Sequence, residues 1–159
     1  MTYRGVWVQR AALTDDPSID DFPIPNNANA ALPFNRIVRN WNDGCDLSNP
    51  LQIVIGPGIH LIAPRGQVVW KHNTSGLRQS VFWKNGWFVD MGGCTNMTGV
   101  QCTTSDHPCI SGPIEVCEGD RIQFIQKQVR LDFNPETEEP PFLDVLGGTG
   151  TWWGFDILE

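Results

Sequence analysis

The chain has 159 residues, of which 40% are hydrophobic and 18% are charged, and its formal net charge at pH 7 is −7. This length predicts one domain that buries its own core, and no apolar run approaches the ~18 residues of a membrane-spanning helix. The 11 basic residues are scattered singly along the sequence, which disfavours nucleic-acid binding. The first residues lack a basic head followed by an apolar core, so we expect no secretory signal.

Glycine and proline set the fold class. The sequence has 16 glycines and 12 prolines, spread so evenly that no long helical pattern survives, which predicts an all-β protein. The first strand is expected over residues 5–10, where Val6 and Val8 lie on one face and Trp7 and Gln9 on the other.

Two irregular segments follow this strand. The acidic connection at 14–21 lacks the ligand spacing of a calcium loop, so we expect a solvated loop. The segment 23–30 shows no period and is expected to be an extended arm or linker that packs on a neighbouring molecule. Residues 1–33 are therefore predicted to hold the first strand and the arm, and residues 34–159 the main body of one compact unit.

Short strands separated by turns account for most of the remaining sequence. Pro64 interrupts one strand pattern and predicts a bulge or an edge position within a bent strand. Asn85-Gly86 predicts a tight hairpin, and Glu118-Gly119-Asp120 predicts a second one. The strands are expected at 34–39, 51–55, 59–63, 67–71, 77–83, 87–90, 114–117, 121–125 and 142–146.

Residues 91–111 contain four threonines and three cysteines without any period, which predicts a long surface loop. Only Cys102, His107 and Cys109 are close enough in sequence to suggest a metal site, and their spacing does not match a zinc ribbon, so no metal is expected. One or two disulfides and fully reduced thiols both remain open, with at least one thiol free or bonded to another chain. The cysteines are Cys45, Cys94, Cys102, Cys109 and Cys117.

The closing segment 149–159 is expected to be a strand at the centre of a sheet. Terminal residues usually fray unless they are docked, and this segment carries two tryptophans and a phenylalanine. Its period of two places Thr151, Trp153, Phe155 and Ile157 on a core face and Trp152, Gly154, Asp156 and Leu158 on the opposite face. About eight short strands that end in a central strand predict a two-sheet antiparallel jelly roll or sandwich.

Enzyme chemistry has little support in the sequence. His60 lies in a strand pattern, His72 beside a turn and His107 before a proline, and none is accompanied by a glycine-bracketed serine or a metal-ligand spacing. We therefore expect a protein that is not an enzyme, with no catalytic residue, no cofactor and no metal.

Motifs in order along the chain carry a resemblance to a known family. They are Phe34-Asn35-Arg36-Ile37-Val38, Asn40-Trp41-Asn42, Gly56-Pro57-Gly58-Ile59-His60-Leu61-Ile62, Phe82-Trp83-Lys84-Asn85-Gly86, Glu115-Val116-Cys117-Glu118-Gly119-Asp120-Arg121-Ile122 and Thr151-Trp152-Trp153-Gly154-Phe155. This set resembles the tumour necrosis factor-like (TNF-like) jelly rolls, most of all the globular head of the complement q subcomponent. The resemblance covers residues 34–159 and implies a compact homotrimer.

The resemblance also implies separate duties for the two faces of the closing strand. Trp152 would point to the three-fold axis and form the trimer interface with Gly154, where neighbouring backbones approach closely. Trp153, Phe155 and Ile157 would form the core. The calcium sites of some family members have no recognisable carboxylates here, and the cysteine-rich segment has no family counterpart.

Two functions fit these expectations. The first is a structural protein of a virion surface: a bacteriophage capsid decoration or cement protein, made in the host cytoplasm, that binds the major capsid protein at three-fold positions. The arm, extended to 23–32, would then reach shell subunits or a neighbouring trimer. The alternative is an adhesin or receptor-binding head at a cell surface or outside the cell, with Trp41, Trp83 or Trp87 stacked on a glycan.

Overall fold

The structure is a computed structural model, and it describes residues 4–13, 20–71, 76–90, 94–97, 105–129, 136, 143–148 and 150–159. Within these ranges the chain is all-β, and its one helical piece is a 3-10 turn at Trp41–Asp43. The strands are β1 Gly5–Gln9, β2 Phe22–Ile24, β3 Asn29–Ala31, β4 Arg36–Asn40, β5 Cys45–Asp46, β6 Ile53–Ile55, β7 Leu61–Trp70, β8 Gly76–Lys84, β9 Trp87–Asp90, β10 Cys94–Met97, β11 Ser105–Ile110, β12 Ile114–Glu115, β13 Arg121–Val129, β14 Leu143–Val145 and β15 Trp152–Ile157.

The strands form two antiparallel sheets. Sheet A has the order β2-β14-β7-β15-β1-β4, with β11 and β12 also paired to β7. Sheet B has the order β10-β8-β13-β6-β5, with β9 on β8 and β3 on β13. The predicted all-β, two-sheet jelly roll is confirmed. The closing strand β15 lies between β7 and β1, so it is the central strand that the sequence predicts.

Aromatic side chains join the two sheets at the centre of the core. In β15, Trp153 and Phe155 are 0% exposed and Ile157 is 5% exposed. Phe124 of sheet B lies 6.1 Å from Trp153 between ring centroids and stacks on Phe82 at 4.7 Å. Full burial of one such side chain stabilises a fold by ~1.5–3 kcal/mol, so this contact is a main source of stability.

The segment 23–30 is built into the sandwich, and the prediction of an arm on a neighbouring molecule is corrected. β2 pairs with β14 in sheet A, and β3 pairs with β13 in sheet B. Ile24 and Leu32 are both 0% exposed. Burial of these two aliphatic side chains holds the segment against its own chain.

Asp20, at the end of the acidic connection, is buried instead of solvated. Its carboxylate accepts hydrogen bonds from Leu13 N–H at 2.7 Å and from Asn35 Nδ2 at 3.2 Å. A buried carboxylate needs such donors, and the backbone just before the connection supplies one of them. Residues 14–19 lie outside the described residues.

The strand β7 runs without a break through Pro64, so the predicted bulge or edge position is wrong. Pro64 pairs with Phe155 of β15, and its carbonyl oxygen accepts a hydrogen bond from Ser111 N–H at 2.9 Å. Ser111 lies between the end of β11 and the start of β12. The backbone N and C=O of one residue point to the same side of a strand. The nitrogen of Pro64, which carries no hydrogen, therefore points to the gap between β11 and β12, where no strand needs a donor.

Where the structure describes it, the segment 91–111 contains two strands, so the predicted loop is wrong there. β10 pairs with β8 in sheet B, and β11 pairs with β7 in sheet A. In β11, Cys109 is 0% exposed while Ile110 is 71% exposed. A strand that buries a cysteine and exposes an isoleucine escapes a search for alternating aliphatic residues. Residues 91–93 and 98–104 lie outside the described residues.

The turn at 118–120 connects the two sheets, so the predicted second hairpin is wrong. β12 pairs with β7 in sheet A, whereas β13 pairs with β8, β6 and β3 in sheet B. Gly119 N–H donates to Ile55 C=O and Ile55 N–H donates to Asp120 C=O, each at 2.8 Å. These bonds to β6 hold the turn at the edge of sheet B, and Gly119 takes a φ of 87° that favours glycine.

Candidate interaction surface

The solvent side of sheet A carries the residues that the alternation of β15 directs away from the core. Register places Gly154 of β15 between Trp7 of β1 and Arg65 of β7. Residues opposite one another in a sheet share a face, so these three positions form one row across the strands. Trp152 lies one step along β15 on the same face and is half-buried.

Gly154 is required by a contact within the chain. A Cβ at this position would lie 2.0 Å from Val6 O and 3.0 Å from an atom of the Trp7 ring. The glycine therefore lets β1 pair closely and lets the indole of Trp7 lie across β15. The sequence analysis expected Gly154 to allow a close approach between subunits. The structure shows a close approach within one chain, to Val6 and Trp7, that already requires a glycine here.

The two tryptophans and an arginine form a contact series on this face. The guanidinium carbon of Arg65 lies 4.8 Å from the centroid of the Trp7 ring, and Trp7 meets Trp152 edge-on at 5.4 Å between centroids. Arg65 Nη2 also forms an ion pair with Asp156 Oδ2 at 3.0 Å. Partial burial raises the pKa of Asp156 even beside this arginine. An exposed cation–π contact stabilises by ~0.5–1 kcal/mol, so the series holds both indoles in place.

A groove of about 290 Å³ runs beside the tryptophans. Its walls are Trp7, Val8, Gln9, Val38 and Trp152. Val38 belongs to β4 and is 57% exposed. An aliphatic side chain and two indoles around an open groove form an apolar surface of the kind that marks interaction sites.

Three arginines from two separate strands share this face. Arg36 pairs with Gln9, Arg39 pairs with Trp7, and Arg65 pairs with Gly154. The sequence predicted scattered basic residues, and sheet pairing brings these three together. We call the set Trp7, Arg36, Val38, Arg39, Arg65 and Trp152 the arginine–tryptophan face.

A second exposed surface lies at the end of the β8–β9 hairpin. Asn85 and Gly86 have φ values of 54° and 83°, as a type I′ turn requires, so the predicted hairpin is confirmed. Trp87 is 80% exposed and Phe88 is 50% exposed. Of the three tryptophans considered for stacking on sugars, Trp41 and Trp83 are half-buried.

The hairpin is fixed to the turn that connects the two sheets. Asn85 Nδ2 donates to Asp120 Oδ1 at 2.7 Å, and Lys84 Nζ donates to Glu115 O at 3.0 Å. Glu115 and Glu118 are exposed beside it. We call Trp87, Phe88, Glu115 and Glu118 the hairpin tip.

Asp120 is the carboxylate at the centre of this attachment. Partial burial raises its pKa, but hydrogen bonds from Asn85 and from Cys117 N–H, together with the charge of Lys84, outweigh that effect and lower the pKa. The Lys84 Nζ to Asp120 Oδ2 distance is 3.6 Å. The charged carboxylate therefore stabilises the folded turn.

The described thiols are free. Cys45 and Cys109 are buried and Cys117 is exposed. Burial raises the pKa of Cys109 to about 12, and its thiol donates to Ser80 O at 3.2 Å. Burial also raises the pKa of Cys45. Cys102 and the side chain of Cys94 lie outside the described residues, so for these two cysteines a disulfide and a reduced thiol remain the two alternatives that the sequence offers.

The candidate metal group is not assembled in the described part of the chain. Cys102 lies outside it, and the thiol of Cys109 is directed to Ser80. No group of three His, Cys, Asp or Glu side chains suited to a metal ion occurs among the described residues. His60 lines an open depression of about 320 Å³ with Glu115 and Cys117. In the same described ranges no helix is long and apolar enough to cross a membrane.

Comparison with solved structures bears on the fold. The chain is similar to the structure of Eiger TNF from S. frugiperda, with a TM-score of 0.58 and 8% sequence identity over 100% of this chain and 94% of that chain. The fold is a TNF-like jelly roll. At this identity the similarity shows the fold alone. No family model and no curated protein matches the sequence of this TNF-like chain.

Proposed function

We propose that this TNF-like chain is a non-enzymatic homotrimeric structural protein of a virion surface. It would be a decoration or cement protein that binds the major capsid protein of a bacteriophage at three-fold positions. The observation that carries the proposal is the arginine–tryptophan face, which puts two indoles and an apolar groove on the solvent side of the central sheet. Aromatic side chains and arginine are the residues that interfaces enrich.

The resemblance of the closing strand to TNF-like proteins supports assembly as a trimer. By that resemblance Trp152 would point to the three-fold axis, and Trp152 lies on the arginine–tryptophan face. A trimer matches the symmetry of the local three-fold positions of an icosahedral shell, which supports the capsid exterior as its location. The net charge of −7 would keep free trimers soluble before they bind.

The arrangement of titratable groups supports a role without catalysis. Asp120 and Asp156 are engaged in hydrogen bonds or an ion pair that hold strands together. The thiol of Cys109 is protonated at neutral pH, because its pKa is raised to about 12. A nucleophile needs a lowered pKa or an adjacent base.

Two measurements test the proposal. Light scattering of the purified protein should give three times the mass of the chain. Co-sedimentation with capsids that lack their decoration protein should retain the chain at saturable three-fold positions, visible as added density in images of the shells. A monomer in solution, or a trimer that stays in the supernatant of every undecorated shell tried, contradicts the proposal.

A second candidate function is a glycan- or protein-binding head at a cell surface or outside the cell. The observation that favours it is Trp87, which is 80% exposed. An exposed indole can stack on the apolar face of a sugar ring. A glycan array should then give hits with the wild-type protein that Trp87→Ala abolishes, and an array without hits contradicts this candidate.

A further inference from the structure

We infer that one end of the core binds a water molecule through the side-chain amide of Gln126. The site lies between the two sheets of a single subunit, so the inference goes beyond the proposed function and holds for a monomer and a trimer alike. The side chains that carry it belong to β8 and β13, and they take no part in the arginine–tryptophan face or the hairpin tip.

The core-facing side of sheet B changes from aromatic to polar along β8 and β13. Phe82 is opposite Phe124 in the register of these strands, and two residues further along Ser80 is opposite Gln126. The period of two in a strand keeps these side chains on one face. The polar residues that continue this face are all buried. We call the following set the polar end of the core: Arg78, Ser80, Gln126 and Gln128.

Sheet A covers the polar end. Gly66 of β7 faces Phe124, because a Cβ at Gly66 would lie 3.0 Å from that ring. At the end of the polar pattern, Gln128 Nε2 donates to Ile24 O of β2 at 3.2 Å, and β2 is joined through β14 to Trp70 of β7. The strands β7 and β13 therefore run toward the same end of the sandwich. The fully buried Trp70 closes that end.

The amide of Gln126 is bound at one of its two ends. Ser80 Oγ donates to Gln126 Oε1 at 2.6 Å, whereas Gln126 Nε2 has no hydrogen-bond partner among the residues that the structure describes. An amide turned end for end would place its oxygen in the unpartnered position instead. Either end of a buried amide is costly without a partner. A ligand that can both donate and accept serves both orientations, and water is the smallest such molecule.

Small side chains leave room for a water at this level of the core. In the neighbouring layer the stacked rings of Phe82 and Phe124 fill the space between the sheets. Beside Gln126 the corresponding groups are Ser80 and Cys109, whose thiol donates across the core to Ser80 O at 3.2 Å. Sheets that pack face to face keep a spacing of ~10 Å. A serine and a cysteine fill less of that spacing than two aromatic rings.

Two buried indoles show why the water belongs to the polar end. Trp70 Nε1 and Trp153 Nε1 both lack a hydrogen-bond partner within the described ranges. Trp153 lies among the aromatic rings of Phe34 and Phe124, which offer a water no second polar group. A buried water needs about two to four polar partners. The polar end, with the amide of Gln126, supplies such groups, and the surroundings of Trp153 do not.

Magnetisation transfer from water tests the site in the wild-type protein. A nuclear Overhauser experiment should give a cross-peak between water and the side-chain amide protons of Gln126, and none between water and the indole Nε1–H of Trp153. Ser80→Ala is the control for proton exchange. A cross-peak relayed by the Ser80 hydroxyl would vanish in this variant and would overturn the inference, whereas a cross-peak from a bound water persists.

Crystal structures of the wild-type protein and of Gln126→Met test which group holds the water. The wild type should show an ordered water within about 3.2 Å of the Gln126 amide. Methionine has a similar length and cannot bind water in this way, so the variant should lose it. The inference is wrong if the wild type has no water there, if the amide pairs with a protein acceptor instead, or if the water persists in Gln126→Met.

Discussion

Two adjacent tryptophans show that position along a strand, more than residue type, decides what a side chain does. Trp153 is 0% exposed and packs between Phe34 and Phe124, each 6.1 Å away between ring centroids. Trp152 is half-buried on the solvent side, where it meets Trp7. The period of two in a strand separates the two indoles onto opposite faces.

Trp153→Ala should cost about 3–5 kcal/mol of stability, because it leaves a cavity where both sheets meet. Urea unfolding followed by circular dichroism measures the loss. The matched control is Trp87→Ala, which removes an indole that is 80% exposed and should change the free energy of unfolding by less than about 0.5 kcal/mol. Equal losses from the two variants would contradict the packing described for Trp153.

Asp120 should make the stability of the protein depend on pH. Its lowered folded pKa means that its stabilising effect is present above the unfolded pKa of about 3.9 and is lost as the pH falls through the folded value. Asp120→Ala should therefore cost about 1–2 kcal/mol at pH 7 and much less in acid below both pKa values. Unfolding experiments at the two pH values measure the difference.

The neighbouring Glu118 provides the control for this prediction, since it is an exposed acid in the same turn. Glu118→Ala should change the stability little at either pH. A loss for Asp120→Ala that is the same at both pH values would show that the charge of Asp120 is not what stabilises the turn.

At the scale of single residues, the sequence predicts burial better than it predicts surface chemistry. The alternation of β15 correctly separates Trp153, Phe155 and Ile157 from the opposite face, because the period is a local property of the chain. The grouping of Arg36 with Arg65 depends on which strands pair, and no local pattern contains that information.

At the scale of elements, turns with a strong local preference are predicted well and the partners of strands are not. Asn85-Gly86 closes a hairpin because both residues adopt positive φ readily. Gly119 also forms a turn, but the strands on its two sides join different sheets. The hydrogen bonds that decide this join Gly119 and Asp120 to Ile55, which belongs to a strand distant in the sequence.

Removal of residues 1–33 should abolish folding, because these residues contribute strands to both sheets. The deletion removes β1, which pairs with residues 152–156 of β15, and the fully buried Ile24 and Leu32. The uncovered edge of β15 would also favour aggregation. Near-ultraviolet circular dichroism of the shortened chain should show no fixed tryptophan environment. A stable, folded 34–159 fragment would contradict this role for the first strands.

At the scale of the whole molecule, the distribution of glycine and proline is sufficient to predict an all-β sandwich, and the order of motifs is sufficient to predict a TNF-like jelly roll. The pairing of the segment 91–111 was missed because its strands carry cysteine, serine and threonine in place of aliphatic residues. The candidate face was missed for a related reason: the arginines that form it come from β4 and β7, which lie apart in the sequence.

Trp152→Asp should convert the proposed trimer to a monomer or an aggregate, because three carboxylates would come close together at the axis. Light scattering measures the mass of the particles. The matched control is Leu51→Asp, which adds the same charge at an apolar residue that is 40% exposed and lies outside the arginine–tryptophan face, and it should leave the mass of the trimer unchanged. A Trp152→Asp protein that remains an intact trimer would remove Trp152 from the interface.

The position of Pro64 opposite the gap between β11 and β12 has a practical consequence. Gly112 and Pro113, which are exposed, lie between β11 and β12. The hydrogen bonds to β7 are interrupted there, because Pro64 of β7 has no N–H to donate. The two short strands are thus attached to β7 independently. A foreign peptide inserted between Gly112 and Pro113 would lengthen a connection without breaking a sheet, which makes this interval the natural place to display an epitope on the molecule.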